Sequence, residues 1–305
     1  MRGLNTILTD CVAQSNSNSA CTSSSGFNIS SQSDLDNLAQ CTTLTGDLVI
    51  QSQLASGTLN TVKTITGNLE ILQDITMTYF SAPALQSIGG TFQLINLTIL
   101  SSLSMPSLTS VGAIDFEILP ALQALNFGGV TSAANVLITD TQLASLNGIQ
   151  LSTVGTFDIN NNFYLKSVSQ PSLTAVTSAL TIAFNAAGVQ VNLPALTTIQ
   201  NATFRDVGDV QLPSLDNVTG DLGFVQNGMS TINMQNLTSI GQSLSFVNNS
   251  ALTNVTAPKL ATIGGTFLIA NNSDYSNIEF NQVTSVGGSI DWTGTFSMAS
   301  LSALK

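Results

Sequence analysis

The chain has 305 residues, of which 6 are basic, 17 are acidic and none is histidine, so its net charge is −11. Only 8% of its residues are charged, against about 25% in an ordinary soluble domain. A chain without runs of lysine or arginine cannot neutralise rows of phosphates, and we therefore expect no nucleic-acid partner. The lack of histidine removes the usual general base and the imidazole metal ligand, so we expect no metal, no cofactor and no histidine-dependent nucleophile. Any catalysis would depend on carboxylates.

The first 20 residues predict either a secretory leader or a disordered N-terminus. They contain Arg2 and an apolar stretch, but Asn5 and Asp10 interrupt that stretch where a leader would be continuous. No run of 18 apolar residues occurs anywhere in the chain. We therefore predict no transmembrane helix.

The three cysteines, Cys11, Cys21 and Cys41, all lie near the N-terminus. A bridge between Cys21 and Cys41 would close a polar loop and remove roughly 3 kcal/mol of unfolded-state entropy. This pattern predicts a disulfide-stapled cap over residues 21–40, with the two Cα atoms within about 7 Å of each other and Cys11 without a partner. Three buried free thiols are the alternative. Helical periodicity occurs only between Ser31 and Gln40, where Asp34 is expected to cap a short helix.

From residue 41 to residue 305 the sequence repeats with a period of about 22 residues. The phrase that begins at Leu85 (LQSIGGTFQL) returns at Leu260 (LATIGGTFLI), and looser copies give twelve registers in all. Each copy contains two apolar residues separated by one other residue, from Leu48 and Ile50 in the first to Ile290 and Trp292 in the last. Alternation of this kind predicts one strand in each repeat with one face buried. Glycines usually precede the strand, and we expect them to make the tight turn into it. We therefore predict an all-β protein, a right-handed parallel β-solenoid that buries a core by stacking.

The residue between each apolar pair is expected to face solvent. Three of these positions are acidic, at Glu70, Asp115 and Asp158. At about 4.8 Å per rung, carboxylates two rungs apart are about 10 Å apart, slightly too far for the carboxylate pair of an inverting glycosidase. We interpret them as a solvated acidic face and assign no catalytic residue.

A second column lies two residues after each pair, and strict alternation predicts that it points inward. Half of its members are amides, which we expect to form a structural ladder. The ladder amides are Gln73, Asn96, Asn161, Gln226, Asn248 and Asn271, and the other members are Ser52, Ile118, Asp140, Phe184, Asp206 and Gly294.

The segment from Cys21-Thr22 through Cys41-Thr42-Thr43-Leu44 to Ile50, followed by repeated P-x-L-x-x-[IV]-G-G-x-[FL]-x-[IV]-x-N-N, resembles receptor-L-domain solenoids, which are related to leucine-rich repeats. It is most similar to the fungal family of GPI-anchored cell-wall organisation and sporulation-specific surface glycoproteins. The resemblance covers residues 21 to about 292. It implies secretion, N-glycosylation, a lipid anchor at the plasma membrane, wall polysaccharide or wall proteins as partners, and a non-enzymatic role in the cell wall.

Eight N-x-[ST] sequons occur, and their number favours a glycoprotein. If Asn96, Asn248 and Asn271 point inward, they should remain unmodified. The sites expected to be occupied are Asn28, Asn201, Asn217, Asn236 and Asn254.

Three functions follow from this sequence. The leading hypothesis is a non-enzymatic surface glycoprotein that contributes to fungal cell-wall organisation and integrity. The alternatives are a module that recognises glycans or proteins and a carboxylate-based polysaccharide hydrolase or lyase. The last rung at Ile290 and Trp292 would be exposed without a polar cap, so we expect the sequence to be a fragment without its C-terminal cap and anchor region.

Overall fold

The chain folds as a parallel β-solenoid of about twelve turns. The structure is a computed structural model that describes residues 19–51 and 54–305. Each turn of the solenoid places a strand beside the equivalent strand of the turn before it. The predicted parallel solenoid is confirmed, while its right-handed sense remains a prediction.

The main sheet contains 19 parallel strands along one face of the solenoid. Long strands cover the middle of this sheet, and two short strands replace them in several turns near the ends. The strands are Phe27–Ile29, Thr43–Leu44, Leu48–Ile50, Thr64–Ile65, Leu69–Leu72, Ser87–Ile95, Ser110–Leu119, Asn135–Thr141, Thr153–Asn160, Ala175–Ala183, Thr198–Arg205, Asn217–Val218, Leu222–Val225, Ser239–Ile240, Leu244–Val247, Thr262–Ile263, Phe267–Ala270, Ser285–Val286 and Ile290–Thr293.

Three smaller parallel sheets lie along the return segments of the solenoid. The first contains Ser56–Thr58, Tyr79–Ser81, Ser102–Met105 and Asn126–Phe127. The second contains Ser167–Ser169, Val189–Asn192, Val207–Gln211, Thr231–Asn233 and Asn254–Thr256. A final pair joins Asn277–Glu279 to Met298–Ser300.

The cap at the N-terminal end contributes the first rung of the main sheet, because Phe27–Ile29 pairs with Leu48–Ile50. A short 3₁₀ helix, Ser19–Cys21, precedes this strand, and the α-helix Gln32–Asn37 follows it. Ser31 is the N-cap of the α-helix, and Asp34 at the third helical position accepts hydrogen bonds from the backbone N–H groups of Ser30 and Ser31. Asp34 therefore does cap the helix, but as the second member of a capping box rather than as the N-cap itself.

The apolar pairs of the main sheet form a continuous core. Every pair from Leu48 and Ile50 to Phe267 and Ile269 is buried. Aromatic rings stack from turn to turn inside this core, as between Phe224 and Phe246, whose centroids lie 5.4 Å apart. The last pair differs, because Ile290 is exposed and Trp292 is only partly buried.

Several glycines before the strands have a different role from the predicted one, although Gly46, at φ 126°, does take a left-handed conformation before its strand. Gly264 adopts no positive φ, so no left-handed turn requires glycine at this position. A Cβ atom added to Gly264 would lie 2.1 Å from the carbonyl oxygen of Gly241 in the preceding turn. Glycine is therefore needed because adjacent turns approach closely along this column.

Candidate functional site

The cap is closed by a disulfide bond between Cys21 and Cys41, whose Cα atoms lie 5.7 Å apart. This geometry confirms the predicted pairing and rules out the alternative of free thiols at these two positions. Cys41 is buried in the core. Cys11 lies outside the described residues, and its state remains a prediction.

The acidic column lies on the outer face of the main sheet, where Glu70, Asp115 and Asp158 are all partly exposed. Gln93 stands in register between Glu70 and Asp115, which places these carboxylates two rungs apart. Gln93 donates a hydrogen bond of 2.7 Å to Asp115 Oδ2, and Asn160 donates one of 2.7 Å to Asp158 Oδ1. Glu70, Asp115 and Asp158 are therefore separated from one another, and Asp115 and Asp158 are each held by an amide. Asp115 is only partly solvated, because its Oδ1 is buried and accepts no hydrogen bond. Among the described residues, no group of three or more His, Cys, Asp or Glu side chains could hold a metal ion.

Glu117 is a further carboxyl group near this column, beside Asp115. Burial raises the pKa of Glu117, and the neighbouring carboxylates of Asp115 and Asp140 raise it further. Ionised Glu117 is thus disfavoured by its surroundings.

The column predicted to point inward instead forms an outward corner of the solenoid. Its residues adopt a left-handed conformation at nearly the same φ in ten successive turns, for example 54° at Gln73 and 58° at Asn248. The predicted ladder amides Gln73, Asn96, Asn161, Gln226, Asn248 and Asn271 are all partly or fully exposed. The prediction was wrong because strict alternation assumes extended backbone, whereas one residue in the left-handed region reverses the direction of the next side chain.

The true inward amides follow one residue later. Asn249 is fully buried; its side-chain nitrogen donates to the Phe224 carbonyl and to Asn272 Oδ1, and its Oδ1 accepts from the backbone N–H of Asn227. The same pattern connects Asn162 with Asn185. The inward amide ladder, which we define as Asn162, Asn185, Asn227, Asn249 and Asn272, satisfies backbone groups at the corner and fixes one turn to the next.

The outward corner changes which sequon asparagines are accessible to solvent. None of the eight asparagines is buried, and Asn248 and Asn271 are exposed on the outward corner. The reason for excluding Asn96, Asn248 and Asn271 from glycosylation is therefore wrong. Among the sites predicted to be occupied, the Asn236 side chain forms hydrogen bonds with the turns on both sides of it. It donates to the Pro213 carbonyl and accepts from Lys259. Occupancy at all eight sites remains a prediction.

Large apolar side chains are exposed along the same corner. In the described part of the chain they occur there and near the C-terminal end, at Ile290, Met298 and Leu304. We define the apolar corner stripe by the six at the corner, which are Ile75, Ile99, Ile118, Phe163, Tyr164 and Phe184. Sequence reasoning missed this stripe because it assigned Ile118 and Phe184 to the interior. The available signal was that these two residues occupy a column otherwise made of Asn, Gln and Asp from Gln73 to Asn271.

A groove of about 530 Å³ lies within the stripe, lined by Ile118, Phe163 and Tyr164 together with Asp140, Gln142 and Asn161. Phe163 is 69% exposed and Tyr164 is 58% exposed. At the next turn, the Arg205 guanidinium lies 4.7 Å from the centroid of the Phe184 ring. The corner therefore presents aromatic rings bordered by hydrogen-bonding groups.

Comparison with known proteins identifies relatives over most of the chain. It is 45% identical to the protein ecm33 of Aspergillus fumigatus over 75% of this chain and 58% of that protein. It is 34% identical to the cell wall protein ecm33 of Schizosaccharomyces pombe over 76% of this chain and 56% of that protein. It is 36% identical to the cell wall mannoprotein PST1 of Saccharomyces cerevisiae over 72% of this chain and 50% of that protein.

The chain belongs to the fungal Ecm33 and sporulation-specific family. Its match spans about half to three fifths of the length of these curated relatives. No family model and no solved structure matches it. In the part of the chain that the structure describes, no helix is long and apolar enough to cross a bilayer.

Proposed function

We propose that this chain is the β-solenoid of a non-enzymatic surface glycoprotein that contributes to organisation and integrity of the fungal cell wall. The observation that carries the proposal is its similarity to proteins named as cell wall proteins, cell wall mannoproteins and GPI-anchored surface proteins. The disulfide-closed cap supports it, since structural disulfides persist in oxidising compartments outside the cytosol. We place the protein at the cell surface or in the wall, with a GPI anchor to the plasma membrane in the full-length protein.

The arrangement of the carboxylates supports a non-enzymatic role. Glycosidases bring two carboxyl groups to opposite sides of one glycosidic bond, at most about 9.5 Å apart. Here Gln93 lies between Glu70 and Asp115 and bonds to the second of them. Glu70 and Asp115 therefore do not face each other across one substrate. The neighbouring carboxyl groups of Asp115 and Glu117 project from the same face of one strand.

Fractionation of the fungus that carries the gene tests the proposal. The full-length protein should be found in the wall or plasma-membrane fraction and should lose mass when its N-glycans are removed enzymatically. A protein confined to the cytosol, without N-glycans, would contradict the proposal. Purified solenoid that cleaves a wall polysaccharide, and loses that activity in Asp115→Asn, would establish the hydrolase or lyase instead.

A further inference from the structure

The apolar corner stripe is confined to one part of the solenoid. It begins at Ile75 and ends at Phe184, and its members occupy five of six successive turns, which span about 24 Å at about 4.8 Å per turn. In later turns the same corner carries Asp206, Gln226 and Asn248, which are typical solvent-facing residues. The stripe is therefore not a consequence of the repeat, since the same fold continues without it.

Two residues of the stripe are unfavourable at their positions. Ile118 and Phe184 adopt φ values of 56° and 53°, and they are 44% and 42% exposed. Positive φ is rare for β-branched and bulky residues, whereas Asn and Asp accept it. Burial compensates for this strain only in part, because more than two fifths of each residue stays exposed. Conformational strain combined with exposed apolar surface is typical of binding surfaces rather than of a solenoid core.

The chemistry of the stripe favours a ligand with flat apolar faces and many hydroxyl groups. Phe163 and Tyr164 offer ring surface that is mostly exposed, and Asp140, Gln142 and Asn161 line the same groove with oxygen and nitrogen atoms. A β-linked sugar ring packs its C–H face on an aromatic ring while its hydroxyls bond to amides and carboxylates. The exposed rings occur in two adjacent turns, at Phe163 and Tyr164 and at Phe184, and exposed isoleucines extend the apolar surface over earlier turns, as an extended ligand requires.

The charge of this surface indicates which kind of ligand the stripe can bind. Asp140 lines the groove and Asp115 lies close to it. Arg205 lies beside Phe184 at one end of the stripe, but its charge is paired with Asp206. The chain as a whole carries a net charge of −11. An anionic polymer, an anionic membrane or a second copy of this chain would bring like charges together at this surface. A neutral polymer avoids that repulsion and does not need cationic partners.

We infer that the apolar corner stripe binds a neutral, β-linked polysaccharide of the wall, such as a β-glucan or chitin. The choice of a wall polymer rests on the proposed function. The site itself rests on the exposed rings, the strained positions and the charge of the corner. Phe163 and Tyr164 stack on the sugar rings, while Gln142 and Asn161 bond to their hydroxyls.

Affinity electrophoresis of the disulfide-intact solenoid tests this inference, with soluble β-glucan, chitin oligosaccharides and α-mannan as probes. We expect β-glucan or chitin oligosaccharides to bind, and α-mannan to bind more weakly. The double variant Phe163→Ala with Tyr164→Ala should bind about tenfold more weakly, the scale expected when ring stacking is lost. Both side chains are mostly exposed, so the variant should keep its fold and its thermal midpoint.

Two further variants separate ring stacking from general apolar contact. Phe163→Leu with Tyr164→Leu keeps apolar surface but loses the flat rings, and it should bind as weakly as the alanine variant. Met298→Ala removes an exposed apolar side chain outside the stripe, and it should bind as tightly as the unaltered protein.

Three results would overturn the inference: no binding of β-glucan or chitin oligosaccharides, binding unchanged in the alanine variant, or full binding by the leucine variant. Concentration-dependent dimerisation lost in the alanine variant would identify the stripe as a self-association surface instead. If the full-length protein still fractionates with the wall while neither probe binds, the inference fails and the proposed function stands.

Discussion

Replacing Asn249 by alanine tests the inward amide ladder. The substitution leaves the buried backbone N–H of Asn227 without the acceptor that lies 2.9 Å away. It also removes three further bonds of the Asn249 side chain, which join it to the Phe224 carbonyl, to Asn272 Oδ1 and to the Asn227 side-chain nitrogen. A buried donor left unpaired costs about 1–3 kcal/mol, and each further lost bond costs about 1 kcal/mol. We therefore expect the free energy of unfolding to fall by about 5 kcal/mol.

The matched control is the preceding residue, which strict alternation assigns to the ladder. Asn248→Gly removes an exposed side chain at φ 58° and keeps a residue that accepts positive φ, so we expect a change within about 0.5 kcal/mol. Denaturant unfolding of unglycosylated, disulfide-intact protein measures both variants. A stability loss in Asn248→Gly as large as that in Asn249→Ala, or no loss in Asn249→Ala, would refute the ladder described above.

Gly264→Ala should lower the free energy of unfolding by about 2 kcal/mol, because its Cβ would overlap the preceding turn; an unchanged denaturant midpoint would contradict the close approach of the turns. The pKa of Glu117 is higher in the folded protein than in the unfolded chain, so protonated Glu117 favours folding. This contribution to stability is complete below the pKa of the unfolded chain and is lost as the pH rises through the pKa of the folded protein. Glu117→Gln should therefore raise the thermal midpoint at neutral pH, and the difference from the unaltered protein should vanish at about pH 4. A midpoint below that of the unaltered protein at neutral pH would contradict the raised pKa of Glu117. Glycopeptide mapping of secreted protein should find glycans at Asn248 and Asn271, and unmodified peptides at both would contradict their exposure on the corner.

The period and the buried pairs could be predicted from the sequence because stacking imposes them on every turn. A strand with one buried face needs alternating apolar residues, and Phe224 and Phe246 satisfy this requirement in successive turns. The disulfide could be predicted because Cys21 and Cys41 enclose one polar loop at the start of the repeat.

The corner could not be predicted from alternation, because no alternating pattern reports the sign of φ. The signal was present in the doublets Asn161-Asn162, Asn248-Asn249 and Asn271-Asn272. The first asparagine of each doublet takes the left-handed position and the second turns inward. The apolar stripe could not be predicted for the same reason. Strict alternation assigns Ile118 and Phe184 to the core, whereas the left-handed corner exposes them.

Complementation in the fungus that carries the gene tests most directly the claim that this is a non-enzymatic wall protein. Cells without the gene should become sensitive to wall-perturbing dyes, and the full-length protein should restore resistance. The double variant Asp115→Asn with Asp158→Asn should restore resistance equally, because these carboxylates lie two rungs apart and do not form a catalytic pair. Normal wall resistance without the gene, or failure of the carboxylate variant alone to restore it, would contradict the account.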